Sequence, residues 1–217
     1  MKQVLGAINR QAEVNYAQVL NRTLLNLTEF TCCDRELRDI MGYRFFNPSQ
    51  MSLAKAAFDH AEQLVANYYR FGRRAFQAYR YDIRTLAELE THEIQDGAFA
   101  HLCRYRYEKK GLPDASRSFQ FYRVCLQDNR ILDAVERANS FIKFAPLMLY
   151  IAAHELVHVI RFDEGLFDFE APQEEKIREE EIVHAITRQI MQPVVHHDLG
   201  LVLDCFSSQY QIGDLYN

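Results

Sequence analysis

The chain has 217 residues, 48% apolar and 25% charged, which is ordinary for a globular protein and long enough for one substantial core. Its net charge of −5 speaks against nucleic acid as an obligatory partner, because domains built for that are basic overall. Five cysteines, with Cys32 and Cys33 adjacent, form no disulfide framework, and the N-terminus lacks a signal peptide's apolar core and cleavage site. A reducing cytoplasm is therefore expected, and the glycosylation-type sequences at Asn21 and Asn26 carry no meaning there.

Residues 3–30 bring Val4, Ile8, Val14, Val19, Leu20, Leu24 and Leu27 near helical spacing and predict a helix. "NPSQ", residues 47–50, reads as a turn and helix start, with the helix running over about 52–77. The stretch "YYRFGRRAFQAYRYDIR", residues 68–84, is basic and aromatic. A helix end that packs its rings inward and exposes its arginines explains it better than a surface for acidic peptide, nucleic acid or lipid. "AFAHLCRYRYEKKG" and "SRSFQFYRVCLQDN" then alternate apolar and polar residues and predict two strands joined by "GLPDAS". Helices return over about 131–140, 146–162 and 173–192, with Pro146 in a first turn and Gly165 just past a helix end. Helices, then strands, then helices predict an α+β fold. We divide it into an N-terminal helical region over 1–85 and a core over 86–217, or a single compact domain. No membrane span is expected: the most apolar run, "FAPLMLYIAAHELVHVI", carries His154, Glu155 and His158.

Those three residues carry the chemistry. Histidines four apart lie one turn apart on one helix face, so His154 and His158 can grip one ion together. Glu155 sits about 100° round from His154, beside the pair and not between them. There it can act as a base toward water at the metal. This is the His-Glu-x-x-His arrangement of zinc hydrolases.

On that motif the sequence resembles the zincin metallopeptidases. The metzincin branch continues with glycine and histidine three and six residues beyond the second histidine, where this chain has Arg161 and Glu164. The gluzincin branch instead takes a glutamate from a later helix, and "PQEEKIREEEIVHAITRQIMQP", residues 172–193, is similar to that segment. With Glu180 as ligand, Val183, Ile186, Thr187, Ile190, Met191 and Pro193 fall into the family's register. His184 stands where the family has an aspartate that orients a ligand histidine. By helical geometry Glu180 lies on the shoulder of the apolar stripe Ile182, Val183, Ile186 and Ile190, with Glu179 inside it and Glu181 opposite. Glu180 is the first choice, and Glu179, Glu181, His184 and Glu164 stay open. The resemblance implies a zincin-like core of small sheet, active-site helix and ligand helix, with Zn2+ on His154, His158 and Glu180. It also implies that an upstream strand binds peptide by backbone pairing, for which Ser118–Leu126 is the candidate.

His196, His197 and Tyr210 follow the ligand helix and are candidates to fold back over the site as hydrogen-bond donors. His60, His92 and His101 are scattered and read as structural, and no cysteine shows a recognisable catalytic partner. The expectation is a cytoplasmic zinc metallopeptidase acting on peptide or protein substrates, with Glu155 as general base. The alternatives are a non-catalytic binding or regulatory protein on a zincin fold, and a structural histidine pair without metal.

Overall fold

The computed structural model describes residues 42–72, 76–108, 118–139 and 141–206. The helix expected over 3–30, Cys32, Cys33 and Tyr210 lie outside the described residues. Helix α1 (Pro48–Tyr68) starts where its sequence signals converge. Asn47 accepts from the Gln50 backbone at 2.9 Å, and the Gln50 side chain accepts from the Asn47 backbone at 2.9 Å. Pro48 occupies the first turn, where its missing N–H has no helical partner to lose. The helix stops at Tyr68, well short of 77, because Arg70 takes φ +56° and turns the chain back. Tyr69 then stacks on Phe71 at 5.5 Å and Phe71 packs on Tyr79 at 5.6 Å, while Arg70 and Arg80 are exposed. Among the described residues of the basic, aromatic stretch, Phe76 is buried and Tyr69, Phe71 and Tyr79 pack together, while Tyr68 is exposed.

This stretch leads into strand β1 (Tyr81–Arg84), which corrects the expectation that residues 68–84 form a helix end. Strands β2 (Ala100–Glu108) and β3 (Ser118–Leu126) follow where expected. The sheet order is β1-β3-β2. β3 pairs antiparallel with β2, from Ala100 opposite Leu126 to Glu108 opposite Ser118, and parallel with β1 from Tyr81 opposite Tyr122. The β2 side of Ser118–Leu126, the candidate peptide-binding strand, is paired along its whole length, while β1 covers its other side only over Tyr122–Cys125. Among the described residues, β2 is the edge strand of the longer pair.

Side chains alternate across the sheet. Leu102, Val124 and Leu126 face the helices and join the main core. Cys103 and Cys125 face the other way, onto Leu86 and Leu89 of the segment between β1 and β2. Arg123 ties that segment down. Its guanidinium makes paired bonds to Asp82 at 2.9 and 3.0 Å and a third to the buried Glu93 at 3.0 Å. A forked donor matched to two carboxylates is a strong charge-assisted contact.

Helix α2 (Asp128–Arg137) opens on a buried carboxyl. Asp128 accepts from the backbone N–H of Phe46 and of Leu86, each at 3.0 Å, and so joins three separate segments. Burial pushes it up to about 6, against the pull of those two donors. Because its folded value lies above its unfolded one, its contribution to stability is full below the ordinary carboxylate value of about 4 and is lost as pH rises through about 6. Asp128→Ala should cost about 2–4 kcal/mol by orphaning both donors. Denaturant titrations of wild type and variant should show that difference shrinking between pH 4 and 6.

Helix α3 (Phe144–Asp163) runs through the middle of the core, and residues 150–160 are all buried. Pro146 lies in its first turn, and Gly165 takes φ +66° just past its end, as the sequence predicts. By length and composition α3 could cross a membrane, but most of it is buried inside the protein. The small residues Ala54, Ala57 and Ala61 of α1 let the two helices approach closely. Helices α4 (Gln173–Met191) and α5 (His197–Cys205) pack on α3 as well. The result is an α+β fold, with five helices and a three-stranded mixed sheet among the described residues, in which α1 and β1 share the core of the later elements.

Candidate metal centre

The motif histidines stand on the face of α3 that meets α4. Tyr150, His154, His158 and Phe162 form a ladder at four-residue spacing, with ring centroids 6.1, 4.8 and 5.8 Å apart in succession. His154 and His158 turn Nε2 toward each other at 3.2 Å. The Glu180 carboxylate closes the group, with Oε2 3.3 Å from His154 Nε2 and Oε1 3.2 Å from His158 Nε2. Both imidazoles are buried at 9 and 7% exposure, whereas the Glu180 side chain is 51% exposed, so the cluster opens to solvent on the α4 side.

Electrostatics make this arrangement demanding. Burial pushes His154 down to about 4, against the Glu180 hydrogen bond that favours its charged form. Burial also pulls His158 down, but the hydrogen bond and charge of Glu180, with help from Glu155 and Glu179, raise it overall. Glu180 in turn is held well below the usual carboxylate range: burial opposes this, and the two imidazoles outweigh it. Two ring nitrogens and a carboxylate thus converge on one point, where a proton on an imidazole or a bound cation balances the Glu180 charge. Ligands held at 2.0–2.1 Å in a tetrahedron stand about 3.3 Å apart, which the three separations match. The donor set fits a zinc ion.

The neighbouring glutamates are accounted for. Glu179, 4% exposed, pairs with the Arg161 guanidinium through both carboxylate oxygens, one at 2.9 Å. Glu164 accepts from the Tyr79 hydroxyl at 2.7 Å at the far end of α3, and Glu181 is exposed. Ile182, read as part of the apolar stripe, is 44% exposed, while Val183 and Ile190 are buried. Glu155 is also buried, and that burial pushes it up to about 7 against the opposing charge of His158.

His184 makes no hydrogen bond to Nδ1 of His154 or of His158. Its Nδ1 lies 2.6 Å from the Tyr150 hydroxyl, and its ring is 4.6 Å from that of His154. His154, Glu180 and His184 each bring a ligand atom within 4.8 Å of the other two. The Nδ1 atoms of His154 and His158 are buried without a hydrogen-bond partner among the described residues. Tyr150 and Arg161 were not among the residues expected at the site. The signal for Tyr150 was its place one turn before His154 on the same face, and nothing local pointed to Arg161. His196 caps α5, with Nδ1 accepting from the Leu199 backbone at 3.2 Å, and His197 is exposed. His60 is exposed on α1, and His92 lies 3.3 Å from the Tyr105 hydroxyl.

Comparison with protein-family models, characterised proteins and solved structures yields no match to this chain.

Proposed function

We propose that the protein is a zinc-dependent peptidase with a zincin-like core, in which His154, His158 and Glu180 hold the ion. The observation that carries this reading is the convergence of two imidazole nitrogens and a carboxylate at 3.2–3.3 Å on an α3–α4 seam open to solvent. Zinc, when bound, would polarise a scissile carbonyl and acidify water. Glu155 takes a proton from the attacking water and passes it to the leaving nitrogen; a carboxyl raised to about 7 by burial suits both transfers.

Two further features favour a peptide substrate. The outer edge of β2 bears no strand among the described residues, and such an edge pairs with an extended chain without needing a particular sequence. An open cavity of about 250 Å3 lined by Arg104, Tyr122, Phe162, Phe167 and Phe169 begins one ring away from His158, since Phe162 stacks on it.

A second reading has its own support. His184, oriented by Tyr150, reaches the same ligand group, and a fourth protein ligand would close the site as structural zinc sites are closed. The protein would then be a binding or regulatory module. Metal analysis of protein purified without chelator tests both readings. Wild type should carry about one zinc more than His154→Ala or His158→Ala, and equal content would refute the site. His184→Ala should leave zinc in place in a peptidase and weaken it in a closed site.

A further inference from the structure

We propose that the protein has a second metal site, built from His101, Cys103 and Cys125 on the sheet face away from α3, that takes a thiophilic divalent ion such as zinc. The site does not depend on the peptidase reading, because it shares no residue with the α3–α4 cluster. His101 and Cys103 are two apart on β2, so they project from one face, and Cys125 of β3 lies directly opposite His101. The three present ligand atoms within 4.8 Å of one another. Cys125 is fully buried, and His101 Nδ1 is buried without a partner among the described residues.

The distances fit a metal site and argue against a disulfide. Cys103 Sγ lies 3.7 Å from Cys125 Sγ and 3.6 Å from His101 Nε2. In a tetrahedral zinc site, bonds of 2.3 Å to sulfur and 2.0–2.1 Å to nitrogen put two thiolates about 3.8 Å apart and a thiolate and an imidazole about 3.6 Å apart. A disulfide fits poorly. Cys103 is paired with Arg123 and Cys125 with His101, so the cysteines are diagonal neighbours. Diagonal Cα atoms on adjacent strands stand about 7–8 Å apart, beyond the span of about 4.4–6.8 Å that a disulfide bridges.

Charge also fits. Glu93 and Asp82 are already matched by Arg123, so the polar groups beside the thiols are paired among themselves. Two thiolates and a neutral imidazole around a divalent ion make an uncharged unit, which burial tolerates. The seam lies between the sheet and the segment carrying Leu86 and Leu89, so the ion would fasten β2 to β3 at the end where β1 also pairs.

Cobalt(II) loading of the reduced, chelator-treated full chain tests this. We expect a sulfur-to-cobalt charge-transfer band in the near ultraviolet that survives in His154→Ala and disappears in Cys103→Ser. The α3–α4 cluster contains no thiol and cannot produce that band, so the two sites report separately. Should Cys103→Ser lose its far-ultraviolet circular dichroism, zinc-edge absorption spectroscopy of the wild type decides, and sulfur scatterers at about 2.3 Å are the expected result. Any of three results would overturn the site: no sulfur scatterer, a band unchanged in folded Cys103→Ser, or a Cys103–Cys125 disulfide in the unreduced protein's peptide map.

Discussion

Glu155→Gln will retain zinc at the wild-type level and unfold at nearly the wild-type midpoint, yet lower peptide hydrolysis by roughly 10²–10⁴. The geometry sets both halves of that result. Glu155 is not among the three residues whose donor atoms converge, so the donor set survives. Burial raises its carboxyl to about 7, so both the acid and the carboxylate are populated near neutral pH, and an amide of equal shape keeps the packing of the folded state. What the amide cannot do is accept a proton. A mixed peptide library followed by mass spectrometry is the assay, and cleavage undiminished in the variant would sink the mechanism. In a closed, non-catalytic site the substitution should change neither zinc content nor partner binding.

The second large effect separates two adjacent glutamates. Glu180→Gln should weaken zinc by more than about 100-fold, because it removes a ligand outright, while leaving the apo fold close to wild type. Glu179→Gln should do the reverse. It breaks the pair with Arg161, whose side chain is only 14% exposed, and leaves a largely buried guanidinium short of its partner. A loss of about 3 kcal/mol in unfolding free energy is expected, with zinc retained. Competition titration with a chromogenic chelator and denaturant melts of the two variants give four numbers. Zinc released by Glu179→Gln, with Glu180→Gln unaffected, would move the ligand one residue along α4 and refute the arrangement proposed here.

Much of this protein was legible in its sequence, and the reason is locality. Cap chemistry at Asn47 and Gln50, Pro146 in a first turn, Gly165 past a helix end and the alternation in β2 and β3 are each written within a few residues. The end of α1 was not, because the turn at Arg70 is set by the packing of Tyr69 and Phe71 with the later Tyr79. β1 was missed for a related reason. A four-residue strand shows too short an alternation to stand out, and it exists because Tyr81–Arg84 finds a free edge of β3.

The candidate metal centre divides in the same way. That His154 and His158 share a face, with Glu155 beside them, follows from the helical repeat alone, whatever surrounds the helix. Which glutamate meets them does not. Residues 179, 180 and 181 differ by 100° steps around α4, so the choice rests on how α4 is rotated against α3. The sequence shows Glu179 in the apolar stripe and Glu180 on its shoulder; only the packed helices show Glu179 buried against Arg161 and Glu180 turned to the imidazoles. The same holds for His101, Cys103 and Cys125, which read as scattered residues until an antiparallel register places Cys125 opposite His101. Spacing along one helix is a local property, whereas contacts between helices and across strands are created only when the core closes.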